Sequence, residues 1–233
     1  MMRTALCLLF LVASNYAYSM EMADDPVLTM FKLDKLEQSD LGFGEDTAWD
    51  LQTWIGKDLD KLWFKTEGEV TDSHLDHAEA QLLYSRAIAP TWDIQIGWRH
   101  DLKPSPSRDW LAIGFQGLAP YFFESEVHLF AANNGNVSLR AKLNHDMLLT
   151  QKLILTPEIE AEFYSKSDQE VGIGQGLSQT DLGLRLRYEI SRKFAPYIGM
   201  QWTKQFSDTA DFSRQSGEDV SDLQWVLGLR AWW

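Results

Sequence analysis

The sequence is short of cysteine, of long apolar segments and of positive charge. Its one cysteine, Cys7, lies in an N-terminal apolar run that we expect to be removed, which leaves no thiol for a disulfide or a metal. No later stretch is apolar over the roughly 20 residues that a membrane-spanning helix needs. The chain carries 34 acidic and 21 basic side chains, a formal net charge of −13. This balance argues against a nucleic-acid partner and suits metal cations or simple solubility.

The N-terminus has the pattern of a secretory signal peptide. Arg3 precedes the apolar run, and the AYS sequence at 17–19 has the small-x-small pattern of a cleavage site. We therefore expect a signal peptide over residues 1–19. A short, disordered periplasmic tail over 20–28 would follow it, and then a single domain over 29–233.

Alternating apolar and polar residues fill most of that domain. In LILTPEIEAEF, which begins at Leu153, leucine, isoleucine and phenylalanine occupy one face and three glutamates the other. A period of two indicates a β-strand, because a helix would mix the two sets. The same pattern predicts strands at 29–37, 48–54, 60–70, 77–86, 92–101, 110–116, 121–131, 137–147, 153–164, 182–190, 196–204 and 223–233.

The predicted connections between these strands alternate in length. The longer ones are 101–109, 165–180 and 207–222, and the shorter ones are 89–91, 118–120, 148–151 and 191–195. About twelve strands with this alternation are typical of an outer-membrane barrel with short periplasmic turns and longer extracellular loops. Tryptophan and tyrosine also cluster near the predicted strand ends, as in the girdles at lipid interfaces. We therefore predict an all-β fold, a transmembrane antiparallel up-and-down β-barrel, whose apolar faces contact outer-membrane lipid.

In such a barrel the glutamates of 153–164 face the lumen, where water or opposite charges can satisfy them. The strands predicted on either side carry basic residues at lumen-facing positions. Facing opposite charges usually pair across strands, so a structural ladder and an ion site are both open interpretations. The members of this lumen charge ladder are Glu158, Glu160, Glu162, Arg140, Lys142, Arg185 and Arg187.

Two other sets combine carboxylates with histidine and are candidate metal ligands. Glu124, Glu126 and His128 share one face of a strand, next to a strand whose lumen side is small. A second set surrounds the outer ends of two adjacent strands and would form an acidic mouth. It comprises Glu67, Glu69, His77 and Glu79. The alternatives are salt bridges to Arg140 and Lys142 for the first set and a merely solvated face for the second.

Several long stretches resemble the copper resistance protein B family. They are QLLYSRAIAPTWDIQIGWRHD, GFQGLAPYFFE, GLSQTDLGLRLRYEISRKFAPYIGMQW and FSDTADF followed by GED. The resemblance covers the chain from about Trp49 to Trp233, and the terminal Trp233 also resembles the assembly signal of outer-membrane barrels. The family often carries a methionine- and histidine-rich N-terminal segment, whereas this chain has only Met20, Met22 and Met30 there.

The resemblance implies a barrel of the bacterial outer membrane that takes part in copper resistance. Its cargo would be Cu(I) or Cu(II), bound or transported and not catalytic, and its partners would include a periplasmic copper-binding protein or multicopper oxidase. Thioethers such as those of Met20 and Met22 suit Cu(I), and imidazole with carboxylate suits Cu(II).

Two other interpretations of the barrel stay open. One is an outer-membrane hydrolase of lipase or peptidase type that uses His100 and Asp101 with Ser105 or Ser107. The other is a passive scaffold for periplasmic copper proteins.

Overall fold

The computed structural model describes residues 25–39, 46–71 and 73–233. The predicted signal peptide, most of the predicted tail, and Met20 and Met22 lie outside these described residues. The strands are β1 (Leu28–Ser39), β2 (Thr47–Gly56), β3 (Asp60–Thr71), β4 (His74–Ala89), β5 (Trp92–Lys103), β6 (Arg108–Ala119), β7 (Phe123–Ala132), β8 (Val137–His145), β9 (Met147–Leu148), β10 (Leu153–Tyr164), β11 (Gly176–Tyr188), β12 (Phe194–Gln205) and β13 (Ser221–Trp232).

Each strand pairs antiparallel with the next one along the chain, and β1 pairs with β13 to close the sheet. The short β9 follows β8 after Asp146, and both pair with β10, so the two together act as one barrel strand. The result is a closed antiparallel barrel of twelve strands, which confirms the predicted fold class.

Along the strands, most apolar side chains point outward and most polar side chains point into the lumen, as predicted. Outward-facing Leu111, Ile113 and Leu227 have exposed fractions of 64%, 44% and 53%, as expected for side chains whose solvent is lipid. In β10, Ile159 and Phe163 are likewise exposed on the outer surface, and the three glutamates point inward. Charged side chains are thereby kept out of the hydrocarbon, where their cost would be several kcal/mol.

The two ends of the barrel differ in their connections. We call the end with the connections 57–59, 90–91, 120–122, 149–152 and 189–193 the turn end. The opposite end, which we call the loop end, contains the end of β1, the start of β2 and the paired ends of β3 and β4, and it carries the connections 104–107, 133–136, 165–175 and 206–220. Of these, 165–175 and 206–220 are the longest, and the second contains the helix α1 (Ser207–Ser216). No helix within the described ranges is both long enough and apolar enough to cross a bilayer.

The structure corrects several predicted boundaries. The stretch 101–109 is mostly strand, because β5 continues to Lys103 and β6 begins at Arg108. Likewise β11 begins at Gly176 instead of 182. Beyond the hydrocarbon both faces of a strand can be polar, so the period of two is lost although the hydrogen-bonded ladder continues. The helix in 206–220 was also not predicted, because a single short helix leaves little periodic signal.

The start of the seventh strand was predicted at residue 121, and it lies at Phe123 instead. Pro120–Phe122 form a 3₁₀ turn in which Tyr121 and Phe122 adopt φ values of 65° and 62°. Both aromatic side chains are consequently exposed at the turn end, by 84% and 75%. Their alternation with the following residues resembled a strand, whereas the backbone there makes a tight turn.

The interior is divided into a packed half and an open half. The packed half lies mainly against β3 to β8, where a cluster of buried side chains fills the lumen: Trp63, Leu83, Trp110, Ala112 and Phe130, with Tyr164 from β10. The open half lies mainly against β10 to β13, β1 and β2, and its two cavities also reach residues of β3, β4 and β6 to β8. A route along the barrel axis through these cavities therefore runs chiefly beside β10 to β13, β1 and β2.

Candidate functional site

The loop end of the open half contains a cavity of about 480 Å³ with a strongly acidic lining. Among the described residues, ten carboxylates and four cationic side chains line this loop-end cavity. The carboxylates come from β1, β2, β3, β10, β11, β13 and the connection 206–220, so the acidity surrounds the cavity. Rings of aspartate and glutamate around a pore attract cations.

His77 is the imidazole of this cavity. Its side chain is 39% exposed, and it also lines an adjoining recess of about 640 Å³ beneath α1 and the connection 165–175. Glu69 is its direct partner in the register of β3 and β4, and the Glu79 carboxylate lies 3.9 Å from its Nε2 atom. His77 and Glu69 therefore lie together at the loop-end cavity.

The other two members of the predicted mouth are held by arginines. Arg140 donates to Glu67 at 2.5 Å and to Glu79 at 2.9 and 3.0 Å. Glu79 has no exposed surface and also accepts from Arg99 at 2.7 Å. Because both carboxylates are already paired with arginine and Glu79 is buried as well, they are poorly placed to bind a metal without rearrangement.

The three residues of the predicted row on β7 do not share a site, because their contacts differ. Glu126 accepts from Lys65 at 2.7 Å and lies 3.2 Å from the Nδ1 atom of His128. The Nε2 atom of His128 contacts Gln95 at 2.9 Å, and the ring is buried. Glu124 instead lines a cavity at the turn end. A metal at this row would have to displace both contacts of the imidazole.

Gly114 makes room for His128 in this arrangement. A Cβ atom at position 114 would lie 2.3 Å from the Cδ2 atom of the imidazole. Across the described part of the chain, no group of three or more histidine, cysteine, aspartate or glutamate side chains is arranged around a common point as a metal site. Candidate ligands therefore occur as pairs, such as His77 with Glu69.

The lumen charge ladder uses partners from both sides of the barrel. Register places Glu160 opposite Lys142 and Glu162 opposite Arg140, and these ion pairs are 3.8 and 2.5 Å long. Glu158 pairs with Lys35 of β1 at 2.5 Å, an interaction across the lumen that sequence reasoning missed. The weak strand pattern of 29–37 left no signal for this partner.

The two arginines of β11 have main partners that were also not predicted. Arg185 donates to Glu37 at 2.5 and 3.1 Å, and it lies 3.8 Å from Glu158. Arg187 pairs with Asp146 in the break between β8 and β9. These contacts join the ladder to β1 and to the turn end, so the ladder is part of a larger ion-pair network.

The turn end of the open half holds a second cavity, of about 290 Å³. Of the residues that the structure describes, six cationic side chains and five carboxylates line this turn-end cavity, so its charge is close to balanced. Arg230 contributes to it from β13 and pairs with Asp34 of β1 at 3.1 Å. The two ends of the open half thus differ in electrostatic character, with the negative excess at the loop end.

The residues considered for hydrolysis do not form a catalytic arrangement. His100 lies on the outer face of β5, where its Nδ1 atom is 2.7 Å from Asp109. Asp101, the next residue, faces the lumen, is 1% exposed and accepts from Arg99 and Trp110. Since neighbouring residues of a strand point to opposite faces, His100 and Asp101 are separated by the barrel wall.

The fold is similar to porins of known structure. The NanC porin matches with a TM-score of 0.56 at 10% sequence identity, over 88% of this chain and 99% of that one. The KdgM porin matches with a TM-score of 0.50 at 10% identity, over 88% and 98% of the two chains. Identities this low show a shared barrel architecture and nothing about function.

The sequence comparisons are more specific. The family model "Copper resistance protein B precursor" matches residues 27–233. Copper resistance protein B of Escherichia coli is 44% identical over 209 residues, which are 90% of this chain and 71% of that protein. A homolog of copper resistance protein B from Pseudomonas syringae pv. tomato is 42% identical over 212 residues, 91% and 72% of the two chains. The chain therefore belongs to the copper resistance protein B family.

Proposed function

We propose that this barrel handles copper ions as cargo in the outer membrane. The loop-end cavity captures them, and the open half of the lumen offers the path along which they cross. The observation that supports this proposal is that ten carboxylates and only four cationic side chains line the loop-end cavity within the described part of the chain. Such an excess lowers the electrostatic energy of a cation at the mouth and raises its local concentration.

The ligand chemistry supports capture of Cu(II) at His77. An imidazole beside carboxylates is a donor set that Cu(II) favours, and His77 and Glu69 supply both donors at the loop-end cavity. Glu124, Glu126 and His128 would be a second, deeper site, reached only when the contacts of His128 open. Met20 and Met22 of the tail are proposed thioether ligands for Cu(I).

Copper titration of the refolded barrel tests the capture step. We expect His77→Ala together with Glu69→Gln to weaken Cu(II) binding at least about tenfold, because an imidazole and a carboxylate are lost. His145→Ala is the matched control, since that imidazole lies at the turn end against Phe123. Calorimetry and the Cu(II) electron paramagnetic resonance spectrum are the readouts. Equal affinity and an unchanged spectrum in the double variant would refute capture at this site.

Flux into liposomes tests the passage step. Purified barrel in the liposome membrane should admit copper faster than empty liposomes do, with zinc and sodium measured alongside. Absence of copper flux in a barrel that still binds copper would leave a capture or scaffold role for periplasmic copper-binding proteins or a multicopper oxidase. We propose no catalytic role, and lipase and peptidase assays with and without chelator would reveal one.

A further inference from the structure

The loop-end and turn-end cavities meet at a single layer of side chains. Five residues line both cavities, three of them cationic and two acidic. Glu37, which holds one of these cations, completes the layer. We call this layer the constriction ring, and its members are Lys35, Glu37, Asp50, Lys142, Glu158 and Arg185.

The six charges of the constriction ring form three ion pairs. Lys35 contacts Glu158 at 2.5 Å, Lys142 contacts Asp50 at 3.2 Å, and Arg185 contacts Glu37 at 2.5 and 3.1 Å. The side chains are between 5% and 17% exposed, so they are largely shielded from bulk water. The formal charge of the ring is therefore zero, although each member stands beside the route between the cavities.

Two glycines on the lumen wall leave space for side chains of this ring to lie against the wall. The guanidinium of Arg185 lies over Gly183, where a Cβ atom would come 2.2 Å from Nη1. The ring of Tyr197, whose hydroxyl donates to Glu37 at 2.9 Å, lies over Gly228 in the same manner, with 2.6 Å between a Cβ and Cζ. Without side chains at these two positions, Arg185 and Tyr197 can lie along the wall instead of projecting toward the axis.

We propose that the constriction ring sets the charge selectivity of the lumen and that Gly183 keeps its route open. Passing ions come close to six fixed charges that cancel as long as every pair is intact. One unbalanced unit charge about 4–8 Å from an ion changes its energy enough to alter permeability several-fold even at the dielectric of water. The proposal rests on the passage of ions put forward above, but it is tested with K⁺ and Cl⁻, without copper.

Two substitutions that each remove one charge of the Arg185–Glu37 ion pair test the selectivity. Glu37→Gln leaves the ring with one positive charge, and Arg185→Gln leaves it with one negative charge. In planar bilayers under a KCl gradient, we expect the K⁺/Cl⁻ permeability ratio to fall about threefold or more in the first and to rise about threefold or more in the second. The double variant restores neutrality, so its ratio should return to that of wild type.

Arg86→Gln is the matched control, because that arginine is 60% exposed on the outer surface at the turn end. Opposite shifts in the two single variants, with recovery in the double variant, support the ring as the selectivity element. Ratios equal to that of Arg86→Gln in variants that still conduct would overturn it. A wild-type barrel that conducts neither ion would overturn it as well, while copper capture at His77 would still be decided by its own titration.

A substitution of Gly183 tests the route without changing the ring's charge. Gly183→Val should push the Arg185 guanidinium from the wall, since the contacts of a Cβ at position 183 are with the flexible ends of Arg185 and Gln201. We expect single-channel conductance to fall at least about twofold. Arg185→Ala together with Glu37→Gln in the same background keeps the ring neutral and should restore it. Unchanged conductance in a folded Gly183→Val barrel would show that the route does not pass Arg185.

Discussion

Arg140 connects more of the lumen network than any other described side chain, and its removal is the sharpest test of the packed half. Its guanidinium contacts Glu67, Glu79 and Glu162 at 2.5 to 3.0 Å and Glu160 at 3.4 Å, while its side chain is 11% exposed. Arg140→Met retains the length of the stem and removes every one of these contacts. The substitution therefore leaves four lumen carboxylates without their common partner.

The cost follows from how well each carboxylate is otherwise satisfied. Glu79 is completely buried and keeps only part of its compensation through Arg99. Glu67 and Glu162 are 27% and 19% exposed, so water can reach them. Breaking a buried ion pair from one side typically costs about 3–5 kcal/mol, and we expect a loss of this size in the free energy of unfolding. Arg140→Lys should cost less, about 1–3 kcal/mol, because it keeps the positive charge and loses the bidentate geometry of the contact with Glu79.

Urea unfolding of the barrel in lipid vesicles, followed by tryptophan fluorescence, measures these losses. Arg86→Met is the control, because the ion pair of Arg86 with Asp60 is exposed, by 60% and 45%, and such a pair contributes about 0–1 kcal/mol. Adding Glu79→Gln to Arg140→Met should recover part of the loss, since it removes the most deeply buried unbalanced charge. If Arg140→Met unfolds within about 1 kcal/mol of wild type, like the control, then the network does not stabilise the barrel and our account of it is wrong.

Three further outcomes are expected. Spin labels at Leu155 and Ile159 should report hydrocarbon and one at Glu160 a polar interior, and the reverse would refute the assigned faces. Gly114→Val should lower the free energy of unfolding by about 1–3 kcal/mol, because its Cβ would overlap the ring of His128; urea unfolding checks this. Cu(II) affinity at His77 should fall as NaCl is raised, because the site is open to solvent and its excess charge is screened; titrations at two salt concentrations decide.

The strands could be predicted because lipid outside and polar groups inside impose a strict alternation. The same alternation predicted that the acids of β10 face the bases of β8 across neighbouring strands. The register that pairs Glu160 with Lys142 and Glu162 with Arg140 is seen only in the structure. The pair of Arg140 with Glu79 joins strands that are not neighbours in the sheet. Contacts of this kind depend on which parts of the wall approach each other across the lumen. Sequence spacing carries no information about that distance.

The division of the lumen into a packed and an open half could not be predicted from the sequence for a related reason. Trp63, Leu83 and Phe130 stand at lumen positions of strands whose other lumen residues are mostly polar, and each alone looks like an exception to the pattern. Together they form a core inside the barrel. Only the closed sheet brings them to one side, and this leaves the opposite side open. The cavities therefore occupy only part of the interior, which is narrower than the strand count suggests.

The ion-pair network indicates where in the barrel the excess of acidic side chains lies. An internal ion-pair network consumes acids and bases in equal number, since a buried charge without a partner is costly. Where carboxylates outnumber cationic side chains, as at the loop-end cavity, the remainder must be balanced by protons or by cations from solution. That cavity opens toward solvent beside His77, whose imidazole adds preference for a transition metal to a general attraction for cations. The loop-end cavity, where acids outnumber bases, is therefore the position that best supports the proposed capture of an external copper ion.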